Sequence, residues 1–325
     1  MSQPPPEQPK PAAGPPPTRL AYLRLFRSPN VFTALADIAM GWLFVHGGLA
    51  PLGAFAALAA ASCLMYTAGM VLNDVHDIEV DRRERPNRPL PSGAIPLRWA
   101  HYLGLELLLV GLAAAWLAGW LDPAAAWPWR AGLIATLLAA CIFAYDRGLK
   151  KTPLGPVAMG ACRMLNVLLG MSTAGGAIEI MNWSAPLGYD AAQWAVAGGL
   201  GVYITGVTWF ARREAGTSRA AQLGGGTAVL LVGLAILASF PWLGRFAEGA
   251  ARINFPTGSE YLWPLLVAML GGSIAMRCFA AISDPVPPKV QAAVKQALIS
   301  IILLDAAVCL AISHTPAYTI NILLL

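Results

Sequence analysis

Asn73, Asp77 and Asp81 fall at every fourth position of the stretch Asn73-Asp74-Val75-His76-Asp77-Ile78-Glu79-Val80-Asp81. On a continuous helix that spacing stacks an amide and two carboxylates on one face, with neighbours about 6 Å apart. In isolation the two acids only repel. Around a hard divalent cation they are useful, because such ions prefer oxygen ligands and magnesium shares them with water and substrate phosphates. The next residues, Arg82-Arg83-Glu84-Arg85-Pro86-Asn87-Arg88-Pro89-Leu90-Pro91-Ser92-Gly93, are basic and stiffened by proline. A metal on one set of phosphate oxygens and guanidinium groups on the rest is what gripping a diphosphate requires. A juxtamembrane charge cluster touching anionic lipid would account for the arginines, but not for the regular spacing of the acids.

The elements that carry these residues are written in the hydropathy. Of 325 residues, 57% are hydrophobic and 12% charged, about half the charged share of an average soluble domain. Apolar runs of roughly 20 residues recur, the length that crosses a ~30 Å hydrocarbon core. They predict an all-α integral membrane protein with nine spans, near residues 30–48, 51–75, 97–120, 129–146, 154–177, 191–211, 220–241, 260–281 and 290–312. The breaks carry turn chemistry, such as Gly47-Gly48, Asp122-Pro123 and Pro285-Val286-Pro287-Pro288. Basic residues fall on one side, including Arg24, Arg27, Arg82 to Arg88, Lys150, Lys151, Arg212 and Lys289, whereas the other side receives Arg130, Arg245 and Arg252. The positive-inside rule then sets the N-terminus in the cytoplasm and the C-terminus outside. Residues 1–19, dense in proline and without a signal-peptide core, read as a disordered cytoplasmic tail, and 20–325 as one transmembrane domain. The five cysteines form no CxxC pair, so neither a disulfide framework nor a zinc site is indicated. The net charge of +5 is explained by membrane topology, and no nucleic-acid partner is expected.

Asn73-Asp74-x-x-Asp77-x-x-x-Asp81, followed by Arg88-Pro89-Leu90-Pro91-Ser92-Gly93, resembles the first aspartate-rich motif of the UbiA superfamily of intramembrane prenyltransferases. The span layout agrees, so the resemblance covers nearly the whole chain after the tail. It implies a helical bundle around a central cavity, capped by cytoplasmic loops. It also implies Mg2+, held by Asn73, Asp77 and Asp81, and transfer of a polyprenyl group from a polyprenyl diphosphate to an aromatic, small-molecule or lipid acceptor. Such a protein would sit among membrane lipid, as a multi-pass protein of a bacterial inner membrane, with its site facing the cytoplasm. Arg85 and Arg88 would bind substrate. Tyr145 with Lys150-Lys151 resembles the family's Tyr…Lys-Arg segment near the diphosphate, although two lysines there satisfy positive-inside equally well. Arg163 and Asn166 lie inside span five, where a charge costs roughly 2.5–3.5 kcal/mol on insertion scales. The partner of Arg163 is either a diphosphate oxygen or Glu106.

The family's second aspartate pair, at the end of span six, is missing. The corresponding stretch from Tyr203 to Gly216 holds Glu214 as its one acid, beside Arg212 and Arg213. Glu214 could ligate a metal and Arg212 or Arg213 neutralise phosphate, or Glu214 could pair with a neighbouring arginine on an exposed helix end for under ~1 kcal/mol. This stretch, with Gly160 to Asn166, is similar to the EboC-like branch found in some bacterial secondary-metabolite clusters, which leaves the acceptor open. With the second acidic motif gone, a carrier for an anionic secondary metabolite, catalytically weak or inert, is the alternative. Asp37 and Asp305 are intramembrane acids, and Asn30, Thr33 and Asp37 share a helix face that could line a cavity. Gly224-Gly225-Gly226 would permit close helix packing.

Overall fold

A backbone in hydrocarbon must satisfy every N–H and C=O within its own segment, so apolar runs of this length become helices. The computed structural model describes residues 19–173, 186–212, 218–243 and 262–312, and the described residues form helices and turns with no strand. Among them, long helices stand at each of the nine expected positions: α2 (Ser28–His46), α3 (Leu52–His76), α5 (Leu97–Leu121), α6 (Trp129–Arg147), α7 (Gly155–Gly170), α8 (Ala191–Ala211), α9 (Ala220–Leu243), α10 (Leu262–Ser283) and α11 (Pro287–Ile312). Two short helices, α1 (Arg19–Leu25) and α4 (Ile78–Glu84), flank the motif. α1 takes in Arg19, the last residue of the expected tail; the rest of that tail lies outside the described residues.

Seven helices, α3, α5, α6, α8, α9, α10 and α11, are each long and apolar enough to cross a membrane alone. α2 reaches that standard together with α1, across a bend of 55°. α7 has 16 residues, about 24 Å at 1.5 Å per residue, and is short of a ~30 Å core. The chain is a multi-pass membrane protein in which one of the nine expected spans is a truncated helix.

The long helices pack each on the next in sequence, and α11 returns to α2, so the bundle closes on itself. With little hydrophobic drive between helices in lipid, small residues decide how near two backbones come. At the α8–α9 seam a Cβ on Gly226 would lie 2.7 Å from the backbone nitrogen of Phe210, and one on Gly233 would lie 2.7 Å from the Gly199 carbonyl oxygen. Of the triplet Gly224-Gly225-Gly226, then, Gly226 bears the close approach, while Gly224 faces open space.

A second, smaller apolar cluster sits beside the main core. Leu90 and Ile95 from the loop after α4 bury against Ala21 and Leu25 of α1, Val71 of α3, Ile78 of α4 and Ala100 of α5. Local hydrogen bonds hold the loop's shape, with Ser92 N–H donating to Arg88 O at 3.0 Å and Ile95 N–H to Pro89 O at 3.2 Å. The basic loop is therefore fastened to the helix that carries the acids.

Candidate active site

The acid stripe runs through a soft joint. α3 ends at His76 and α4 begins at Ile78, with Asp77 between them at φ −92° and ψ 6°. The hydrogen-bond ladder nevertheless continues, from Asp77 N–H to Asn73 O at 3.0 Å and from Asp81 N–H to Asp77 O at 2.9 Å. Asn73 and Asp77 thus remain neighbours on one face. The ammonium of Lys150, brought in by the 3-10 turn Leu149–Lys151 after α6, sits between them. It lies 2.8 Å from Asn73 Oδ1 and 2.7 Å from Asp77 Oδ2.

Asp81, one turn further, is buried and pairs with a different cation. Its Oδ2 accepts from Arg88 Nη1 at 2.7 Å. The same nitrogen lies 3.4 Å from Asp74 Oδ1, which also accepts from Arg27 at 2.7 Å. Arg27 occupies the bend between α1 and α2 in the left-handed region, at φ 47°. A non-glycine residue is costly there and persists only when its surroundings hold it; the buried Asp74 carboxylate is the group that does so here. Arg27–Asp74–Arg88–Asp81 forms a chain of alternating charge tying α1, α3, α4 and the basic loop together. Asp74 and Arg27 were outside the expected site. The spacing argument selects every fourth residue and so discards Asp74, about 100° round the helix from Asn73.

Beneath these groups lies a cavity of about 430 Å³, walled by α2, α3, α6, α7, α8 and α11. Its upper wall holds Arg27, Asn30, Asn73, Tyr145 and Asp146, and its sides are apolar, with Leu138, Ile142, Met159, Ile204 and Val207. Tyr66 also lines it; this residue extends the stripe backwards, seven positions before Asn73, a signal available in the sequence. A mouth of about 510 Å³ opens above, bounded by Asp77, Asp81, Arg85, Arg88, Lys150, Lys151 and Arg212. Asn73 and Tyr145 border both spaces. Arg212 donates to Thr152 O at 2.7 Å and fastens the end of α8 to the Lys150 turn. Arg213 and Glu214 lie outside the described residues. His76 faces outward, its Nδ1 2.7 Å from Leu72 O.

Arg163 departs from one expectation. Glu106 is exposed on α5 and takes no part. The guanidinium of Arg163 meets Asp37 Oδ2 at 2.5 Å and Thr33 O at 3.1 Å. Asn166 donates to the same Asp37 oxygen at 2.8 Å and accepts from Ser62 at 2.7 Å. Asp305 of α11 lies within electrostatic reach of both Asp37 and Arg163, although neither of its oxygens has a hydrogen-bond partner among the described residues. Charges sunk in a membrane core need partners, and this knot supplies them. Ser62 lies eleven residues before Asn73 on α3, so the knot is roughly 16 Å deeper than the Lys150 site. Arg163 and Asn166 form part of the cavity wall, yet they are not gathered with Asn73, Asp77 and Lys150.

Lys150 tests whether the upper site suits a divalent cation. Two oxygen donors already converge on one positive centre at hydrogen-bond distance. Among the described residues no three acidic, histidine or cysteine side chains form a ready cage. A donor-poor site of that kind suits magnesium, which keeps several waters and takes phosphate oxygens for the rest.

Comparison with known proteins agrees with this architecture. Residues 34–289 match the profile of the UbiA prenyltransferase family. A digeranylgeranylglyceryl phosphate synthase of Methanoculleus marisnigri is 34% identical over 156 residues, 48% of this chain and 52% of that protein. The synthase of Sulfurisphaera tokodaii is 33% identical over 132 residues, 40% of this chain and 44% of its own length. The matched region thus spans about half the length of these curated relatives. In fold, a solved digeranylgeranylglyceryl phosphate synthase superposes with a TM-score of 0.63 at 20% identity, over 91% of this chain and 99% of the other. A UbiA homologue from Archaeoglobus fulgidus, bound to DMAPP and Mg2+, superposes with a TM-score of 0.57 at 16% identity, over 89% and 98%. With its profile running from α2 to the start of α11, the chain belongs to the UbiA prenyltransferase family.

Proposed function

We propose that the protein transfers a prenyl group from a polyprenyl diphosphate to an acceptor held in the membrane, using Mg2+ at the Asn73–Asp77 end of the cavity. The observation that carries this reading is the Lys150 ammonium, seated between Asn73 Oδ1 and Asp77 Oδ2 at the junction of the charged mouth and the apolar cavity. Asn73 and Asp77 would hold the metal, with Asp81, whose carboxylate now meets Arg88, as a further candidate ligand. Bound magnesium supplies Lewis-acid charge at the diphosphate oxygens, an effect of several kcal/mol. Lys150, Arg88 and Arg27 leave their carboxylate partners for the phosphate oxygens and offset the charge that grows as the carbon–oxygen bond breaks. Arg85, Lys151 and Arg212 at the rim attract the anion, with Arg213 and Glu214 in the adjoining segment. The apolar walls take the isoprenoid chain and exclude water from the allylic cation, and Tyr145, which borders both spaces, supplies an aromatic ring close to where positive charge develops. Arg163 and Asn166 shape the deep end of the cavity.

The names of the relatives support a lipid acceptor bearing a phosphate. An arginine-lined cleft of about 440 Å³, formed by Arg24, Arg27, Arg85 and Arg88 with Asp74, favours an anionic head group. The catalytic residues lie in 20–325, and by the positive-inside rule the basic mouth faces the cytoplasm. The decisive experiment is diphosphate release from geranylgeranyl diphosphate by protein in lipid nanodiscs, with cell lipid extract as acceptor. Release that requires Mg2+, stops with a chelator and falls at least a hundredfold in Asp77→Asn is the expected result. Magnesium-dependent binding without release, across donors of several lengths, would overturn the reading.

A further inference from the structure

Asp146, near the end of α6, is 4% exposed and lines the upper cavity beside Asn73 and Tyr145. Its Oδ2 has no hydrogen-bond partner among the described residues. A buried acceptor left without a donor is costly, more so when charged, and such atoms are rare unless ordered water, a ligand or an ion supplies the partner. The charged groups within electrostatic reach are Lys150, Asp77, Asp74 and Arg27. Asp74 is engaged by Arg27 and Arg88, so the local balance is between Asp77, Asp146 and Lys150. With Asp146 ionised, two carboxylates face one ammonium, an excess of one negative charge in a place where an anion must bind. Once Lys150 moves to the phosphates, Asp77 and Asp146 are left without their shared ammonium, and a divalent cation between them would offset the pair.

We propose that Asp146 is a ligand, direct or through one water, of the divalent cation that Asn73 and Asp77 hold. This rests on the metal-and-diphosphate reading above. The cation would then be embraced from α3 on one side and α6 on the other. The binding step would draw those helix ends together, with Oδ2 gaining the partner it lacks.

The test is Mn2+ binding, followed by electron paramagnetic resonance, to the full chain in nanodiscs with inorganic pyrophosphate present. Wild type is set beside Asp146→Asn, Asp146→Ser, Asp146→Glu and Asp77→Asn. Mn2+ affinity is expected to fall at least tenfold in the Asn and Ser variants, a size typical of losing a supporting ligand, and to be largely kept in the Glu variant. A merely repelling carboxylate predicts the opposite: its removal lets pyrophosphate bind more tightly and leaves Mn2+ affinity within about twofold of wild type, which overturns the proposal. Equal losses in the Asn, Ser and Glu variants also overturn it, since they mark a disrupted helix end. If Asp77→Asn loses affinity while Asp146→Asn keeps it, this inference alone fails. If neither variant changes affinity, the metal-site reading fails with it.

Discussion

At the scale of single residues, the proposed mechanism gives Lys150 two tasks that oppose each other. It sits between Asn73 and Asp77, where the cation would bind, and its charge would be wanted at the diphosphate. Lys150→Met keeps the length of the side chain and removes the charge. Diphosphate release is expected to drop by about 10² to 10³, the usual effect of losing one donor to developing negative charge. Mn2+ binding without diphosphate is expected to tighten, because no ammonium competes for the two oxygens. Turnover and a metal titration on the same preparation check both halves. Weaker turnover with unchanged or weaker metal binding would mean that Lys150 does not occupy the metal position. Asp74 teaches a related lesson. It stands next to the stripe and not on it, yet it holds Arg27 and Arg88 at the rim of the site.

At the scale of elements, the loop after α4 is positioned by packing. Leu90 is buried against α1, α3 and α4, while Arg88, two residues earlier, reaches Asp74 and Asp81. Leu90→Ala removes no group that touches substrate. It should nevertheless cost about 2–5 kcal/mol of local stability, as large-to-small changes at buried leucines do, and release Arg88 from its register. A rise in KM for the diphosphate of about tenfold, with magnesium affinity unchanged, is expected from steady-state kinetics and a metal titration. Unaltered kinetics would show that Arg88 is held by its ion pairs alone. The α6–α7 turn follows the same logic, since Lys150 arrives on a 3-10 turn that Arg212 braces from the end of α8.

At the scale of the whole molecule, the Asp37–Arg163–Asn166 knot joins α2 to α7, with Ser62 bringing in α3 and Asp305 of α11 within electrostatic reach. These contacts lie where the bundle closes on itself. Arg163→Leu leaves the fully buried Asp37 without its cation, a change that costs about 3–5 kcal/mol when one partner of a buried pair is removed. The variant should melt well below wild type in nanodiscs, and Arg163→Leu with Asp37→Asn should recover part of the loss. If the double variant is no more stable than the single one, the knot is not the clasp. Because the knot sits roughly 16 Å below the Lys150 site on the 1.5 Å helical rise, the double variant should keep magnesium binding intact.

How much of this was legible beforehand depends on the range of the physics. Helix existence follows from local hydropathy and backbone hydrogen bonding, so Ser28–His46 through Pro287–Ile312 stand where the apolar runs predict them. The Asn73–Asp77 face follows from helical period, a property of neighbouring residues, and the basic loop from composition. The depth of α7 does not follow, because a 16-residue helix is set by what packs around it and not by the run of apolar residues that encodes it. Nor do the partners. Arg27 meets Asp74 across 47 positions, Lys150 meets Asn73 across 77 and Arg163 meets Asp37 across 126. A charge in a sequence announces that it needs a counter-charge, but which one it finds depends on helix order, rotation and depth. For the same reason Asp146 reads along the chain as an ordinary acid near a helix end. Only the closed bundle places its unpartnered oxygen beside Lys150 and Asp77, where it can act on a cation.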